Sequence, residues 1–160
     1  MPEGKVWRFG DDVSTDLLSP GTYAVDPVEV RMQHCLESLN PRFPGEVTKG
    51  DVVVAGRNFG CGSSRETAPE NLAALGVGCV VVDSVARIFL RNAIAIGLPV
   101  MVCPGAGEAF QDGDHIEIDL ESGRVANPAT GVELAGEPLP PEMREILDAG
   151  GILSVLERGR

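Results

Sequence analysis

The sequence predicts an α/β fold: a parallel β-α-β-α-β core with an antiparallel hairpin toward the carboxyl end. Three observations predict it. Aromatic residues make up only 4% of the chain against 43% hydrophobic overall, so Val, Ile, Leu and Ala must fill the core, as they do in buried strands and the helices that cover them. Three short apolar runs, at 51–56, 78–83 and 98–103, are separated by two helix-forming stretches. After Gly113 the pattern switches to alternation, the signature of strands with one wetted face.

Taken in order, residues 5–9 (KVWRF) form a short strand candidate, followed by the Asp-rich turn DDVSTD and by Leu17-Leu18. Residues 21–48, with the exit NPRFPG, read as a long loop containing some helix, and loops of such length in a compact domain are commonly functional or mobile. Residues 51–56 (DVVVAG) are a buried strand. Leu72, Ala73, Ala74 and Leu75 are helix formers closed by Gly76. Residues 78–83 (GCVVVD) are the second buried strand. In SVARIFLRNAIAIG, Ser84 can cap a helix in which Val85, Ile88, Phe89, Ala93 and Ile96 repeat at helical spacing. The third strand is 98–103 (LPVMVC). Right-handed crossovers of this kind build a parallel sheet with ligands at the carboxyl ends of its strands. HIEIDL, a Glu-Ser-Gly turn and RVAN form the hairpin. A last short helix over 142–149 ends at Gly150-Gly151. With 160 residues and no internal repeat, one domain spanning 1–160 is expected.

Charge narrows the function classes. Lys and Arg number 13 against 24 Asp and Glu, a net charge of -11, which repels nucleic-acid backbones and anionic lipid surfaces alike. Apolar stretches break well before the roughly 18 residues that span a bilayer. Met1-Pro2-Glu3-Gly4-Lys5 opens no signal-peptide pattern, so a cytoplasmic location is expected. Cys35, Cys61, Cys79 and Cys103 are scattered, without a C-x-x-C pair, so no metal or cluster site is expected in this chain.

The chemically informative run is GRNFGCGSSRETAP, residues 56–69. It follows a buried strand and leads into a helix. Glycines at 56, 60 and 62 permit tight or left-handed backbone that aims N–H groups at an anion. Arg65 adds a two-pronged donor suited to a carboxylate, and Ser63 and Ser64 add hydroxyls. The same residues also read as helix punctuation, since Ser63 to Glu66 and Thr67 to Glu70 are both capping boxes. A phosphate-binding α/β domain is a third reading, but the Lys of a P-loop is missing, and so is an acidic residue about 20 positions on, unless Asp83 serves.

The run NFGCGSSRE, with AP close behind and then GVGCVVVDSVARIFLRNAIAIGLPV, resembles the swivel domain of the aconitase superfamily. It resembles in particular the separate small subunits of isopropylmalate isomerase and homoaconitase. GDDVSTDLLSPGTY and EILDAGG extend the resemblance over most of the chain. The resemblance implies a swivelling β/β/α domain of a hydro-lyase that interconverts 2-isopropylmalate and 3-isopropylmalate in leucine biosynthesis. It implies that Ser63 is the catalytic base and that Ser64 and Arg65 contact substrate, with Gly62 helping to stabilise the alkoxide. Thr67 stands where many members carry His. No cofactor is expected on this chain; a large subunit carrying a [4Fe-4S] cluster is the implied partner, a small dicarboxylate the substrate, and the isolated chain is expected to be inactive, with self-association the other state it could take.

The family's loop after the first motif reads the substrate's variable arm. Here that loop holds Tyr23, Ala24 and Val25, with no Arg before Arg31, which points to an alkyl arm. Homoaconitase, 2,3-dimethylmalate dehydratase and a non-catalytic binding module of the same fold are the alternatives. Arg87 and Arg91, four apart on one helical face, could help hold the substrate loop, but a solvent- or partner-facing pair is the expectation. Asp12 and Asp16 could orient the loop or the partner, with turn-forming Asp the default expectation. His34 and His115 have no companion in the sequence.

Overall fold

The computed structural model describes residues 2–158. Met1, Gly159 and Arg160, the outermost positions of the expected domain, lie outside the described residues. The elements run β1 (Glu3–Arg8), α1 (Thr15–Leu18), a 3-10 turn (Gly21–Tyr23), α2 (Val28–Arg31), a second 3-10 turn (Met32–His34), α3 (Phe43–Glu46), β2 (Val52–Ala55) and α4 (Thr67–Ala74). They continue with β3 (Cys79–Val82), α5 (Arg87–Ala95), β4 (Val100–Val102), α6 (Ala106–Ala109), β5 (His115–Ile118), β6 (Arg124–Asn127), β7 (Val132–Ala135), α7 (Pro141–Ala149) and α8 (Ile152–Arg158).

The strands form one seven-stranded sheet in the order β4-β3-β2-β1-β5-β6-β7. Its first half, β1 to β4, is parallel. Its second half is antiparallel and begins where β5 pairs with β1. The α/β expectation with a C-terminal hairpin therefore holds, and the hairpin gains β7 as a third strand.

Register explains why the central strands read as unbroken apolar runs. Val6 pairs with Val52 and Val52 with Cys79, so these three share one face, while Trp7, Val53 and Val80 share the other. Each face has its own core. Val53, Ala55, Val80 and Val82 pack with Leu72 of α4, Phe89 of α5 and Leu36 and Phe43 of the 21–48 region. Val52, Val54, Val81 and Met101 pack with Phe110, Ile116, Ile118 and Val125. Both faces being dry, no polar alternation was possible in β2 or β3.

Residues 21–48 are more ordered than the sequence suggested. Arg31, Cys35, Leu36 and Phe43 are buried there. Phe43 packs in T-shaped geometry against Trp7 and Phe9, each with ring centroids 5.4 Å away, and Trp7 Nε1 donates to Asp51 Oδ2 at 2.9 Å. Burying a side chain of this size stabilises by about 1.5–3 kcal/mol, enough to hold a segment whose own helices are single turns.

Two helix starts differ from expectation. α4 begins at Thr67 behind Glu66, and α5 at Arg87 behind Ala86, neither with a side-chain cap. The expected hydroxyl caps are engaged elsewhere: Ser84 Oγ accepts from Asn58 N at 2.7 Å, and Thr67 Oγ1 shares a 2.7 Å hydrogen bond with Ser19 Oγ. The capping boxes at 63–66 and 67–70 do not form.

Candidate active site

The loop that leaves the carboxyl end of β2 is stitched along both sides. Short parallel bridges join Ser14 to Cys61 and Phe59 to Val85, carrying the sheet pattern beyond its last strand residues. Gly60 N donates to Val13 O at 2.7 Å and Thr15 N to Cys61 O at 2.8 Å. Asp12 and Asn58 both adopt left-handed backbone, and Asn58 Nδ2 donates to Asp12 Oδ1 at 3.0 Å; Asn and Asp tolerate that region best among residues with a Cβ. Gly60 is required by more than its φ of +78°: a Cβ there would lie 2.5 Å from Cβ of Phe89, whose ring meets Phe59 edge-on. The loop is thus pressed onto the hydrophobic core.

Thr15 Oγ1 donates to Ser63 O at 2.9 Å and fixes the backbone that carries Ser63. Gly62, Ser63, Ser64 and Arg65 come together in one cavity of about 220 Å³, also lined by Ala86, Arg87 and Ile88 at the start of α5 and by Asn92 further along it. Ser63 and Ser64 are exposed, and their hydroxyls have no protein partner among the described residues. The lining includes two arginines and no carboxylate, in a chain of net charge -11. A larger, open hollow of about 590 Å³ lies at the opposite end of the sheet; it is built from Gly50, Gly76, Gly78 and Gly97 with Lys49 and holds no acid–base pair.

Arg65 is half committed. Its NH1 donates to Asp16 Oδ1 at 2.9 Å and to Ser19 O at 2.6 Å. A guanidinium has five N–H donors, so Nε and NH2, the edge that grips a carboxylate with two parallel bonds, remain on offer. Asp16 therefore does more than form a turn. The hydrogen bond from Arg65 holds its carboxyl below the ordinary 3.8, with Gly21 N, 3.2 Å away, assisting. Because that value is depressed, the pair is intact above pH 3.8 and is lost only as pH falls through the lower value.

Tyr23, Ala24 and Val25 do not line the cavity. They sit on the adjoining turn, connected to Arg65 through Gly21 and Asp16, and Val25 is 97% exposed. Arg31 holds the other end of that turn from within the core. Its Nε donates to Asp26 O at 2.9 Å, NH1 to Asn71 Oδ1 at 2.9 Å, and NH2 pairs with Glu70. Asn71 in turn donates to Leu18 O at 3.1 Å.

Sequence reasoning missed the walls supplied by Ile88 and Asn92, and Thr15 beneath Ser63. Arg87, expected to face solvent or a partner, is exposed and also lines the cavity. The cysteines do not converge: Cys35 lies in the core on one face of the sheet, Cys79 and Cys103 in the core on the other. Burial pushes the Cys35 thiol up, Cys79 to about 12 and Cys103 to about 11. Among the described residues, the one group of three or more metal-ligating side chains within 4.8 Å of one another is Glu3, His115 and Glu117; it is at the β1–β5 pairing, at the other end of β1 from the cavity. No described helix is long and apolar enough to cross a membrane.

Residues 37–103 match the Aconitase C-terminal domain family. The chain is 53% identical to the 3-isopropylmalate dehydratase small subunit 1 of Methanopyrus kandleri, over 97% of this chain and 92% of that one. It is 46% identical to the isopropylmalate/citramalate isomerase small subunit of Methanocaldococcus jannaschii, over 98% and 94%. A crystal structure of a 3-isopropylmalate dehydratase from the latter organism superposes with a TM-score of 0.91 at 38% identity, covering 99% of this chain and 94% of that one.

Proposed function

This chain belongs to the family of 3-isopropylmalate dehydratase small subunits, and on that premise we propose that it supplies the base and a carboxylate clamp for dehydration and rehydration of an alkyl-substituted malate, interconverting 2- and 3-isopropylmalate together with a large subunit. The observation that carries the proposal is the convergence of Ser63, Ser64 and Arg65 in a cavity with cationic groups and no carboxylate in its lining.

Dehydrating a malate requires removal of a proton from the carbon beside a carboxylate and departure of hydroxide from the next carbon. The free edge of Arg65, with the Ser64 hydroxyl, binds the carboxylate and orients that carbon. Ser63 takes the proton as an alkoxide. Serine is far too weakly acidic to ionise in water, so the alkoxide depends on nearby positive charge and on exclusion of solvent. Arg65 and Arg87 supply charge from this chain. The dipole of α4 contributes little, because that helix begins at Thr67 and the field of a helix end fades within a turn. An open cavity wall leaves the exclusion of water to a partner surface.

The iron–sulfur cluster implied by the resemblance does not fit this chain: Cys35 is buried on one face of the sheet, Cys79 and Cys103 on the other, and Cys61 stands by itself on the loop after β2. We assign it to the large subunit, as the Lewis acid for the departing hydroxyl.

An alkyl arm is favoured because Arg31, the arginine that follows this turn in the sequence, is buried with its Nε, NH1 and NH2 all engaged. The name of the Methanocaldococcus relative favours a second substrate, citramalate, with a shorter arm. In complex with the large subunit, 3-isopropylmalate is expected to exceed citrate in kcat/KM by at least about 100-fold, since a carboxylate left unpaired in an apolar pocket costs more than a mismatched methylene. Equal use of both would overturn the assignment of the alkyl arm; comparable turnover of citramalate would establish the second substrate.

A further inference from the structure

His34 has no obvious companion in the sequence, yet the structure gives it two. Its imidazole lies flat on the ring of Tyr23, with centroids 3.6 Å apart and planes within 4°. Its Nδ1 faces both carboxylate oxygens of Glu37, at 3.0 and 2.9 Å. A carboxylate can only accept, so the proton of this pair sits on Nδ1 and the ring orientation is fixed from behind.

What this stack holds is the turn carrying Tyr23, Ala24 and Val25. Within itself the turn is closed by backbone hydrogen bonds, from Tyr23 N to Pro20 O at 3.0 Å, Ala24 N to Gly21 O at 3.1 Å and Asp26 N to Tyr23 O at 3.0 Å, but few side chains anchor it to the rest of the molecule. The Gly21–Tyr23 segment contains no buried residue, and Val25 is 97% exposed. Its ends are tied, at Gly21 to Asp16 and at Asp26 to Arg31. Between those ties, the ring of Tyr23 on His34 is its one aromatic contact among the described residues. A loose turn would present its side chains to a ligand over a range of positions, and ordering it on binding would weaken affinity.

We propose that His34 is a positioning residue for substrate recognition: stacked on Tyr23 and braced by Glu37, it fixes the turn that meets the variable arm of the substrate. The proposal rests on the reading that this turn faces that arm. His34 touches no reacting atom, so its effect belongs to binding rather than to proton transfer.

The test compares wild type, His34→Ala, His34→Phe, Tyr23→Ala and the Tyr23→Ala/His34→Ala double variant, each assembled with the large subunit and assayed with 3-isopropylmalate. His34→Ala is expected to raise KM about fivefold, the scale of one lost ring stack, with kcat within about twofold. His34→Phe, which keeps a flat ring without the Glu37 bond, should restore most of the loss. In the Tyr23→Ala background the His34 substitution should add nothing. An unchanged KM in His34→Ala, a fall in kcat alone, failure of Phe to rescue, or additive losses in the double variant would each overturn the proposal. If Tyr23→Ala raises KM while His34→Ala does not, the stack alone is refuted. If Tyr23→Ala leaves KM unchanged, the role of the turn itself is refuted.

Discussion

Replacing Ser63 by alanine is expected to lower kcat of the assembled enzyme about 1,000-fold, the middle of the range for loss of a positioned general base, with KM changed by less than about threefold. The substitution removes one exposed hydroxyl that has no hydrogen-bond partner among the described residues. The backbone of Ser63 is fixed independently of its side chain, through Thr15 Oγ1 to Ser63 O at 2.9 Å. Folding and assembly should therefore survive, and unchanged circular dichroism and an unchanged unfolding midpoint would establish that. A rate within a few-fold of wild type would mean that another group takes the proton. Ser64, which lines the same cavity, would be the first to examine.

The second large effect concerns stability. Arg31→Ala should destabilise the chain by about 3 kcal/mol, read as a lower midpoint in urea at unchanged slope. Arg31 is 7% exposed and spans three partners. Removing it leaves Asn71 Oδ1 without its donor in a side chain that is fully buried, frees Asp26 O, and deletes the buried stem of the arginine itself. Glu70, whose side chain is 45% exposed, can turn to water, which keeps the loss below that of a fully buried ion pair. Arg31→Lys should recover only part of the loss, because an ammonium cannot reach three acceptors in the plane of the guanidinium. A midpoint unchanged in Arg31→Ala would show that the turn and α4 are held together by other contacts.

Legibility in the sequence followed burial. β2, β3 and β4 were visible because both faces of the sheet are covered there, leaving short apolar runs with Gly or Pro at their borders. The hairpin was visible because Ile116 and Ile118 point inward between the more exposed His115 and Glu117. β7 is short and its most exposed residues alternate with half-buried ones, so its pattern is faint. α8 follows α7 after a break of two glycines that reads as an ending. Helix starts were misplaced where a hydroxyl expected to cap bonded instead to a distant strand connection, as Ser84 does with Asn58.

For the site, Ser63, Ser64 and Arg65 were legible because they are consecutive in one loop. Their surroundings were not. Arg31 reaches Glu70 and Asn71 across 39 and 40 positions, and Asp16 reaches Arg65 across 49. Contacts of that range have no local periodicity to announce them, and the turn before Arg31 gains its order from them rather than from its own propensities. His34 is a mixed case: Glu37 lies only three positions on, but the stacking partner Tyr23 is eleven positions back, a spacing that no single helix or strand spans.

The claim that half of an active site is built into this chain is tested most directly by turnover of 3-isopropylmalate in three samples at matched concentration: this chain alone, the large subunit alone, and the mixture. Activity in the mixture only is the expected result. Turnover by the large subunit alone at the rate of the mixture, or no turnover in a mixture shown to have assembled with its cluster intact, would contradict it.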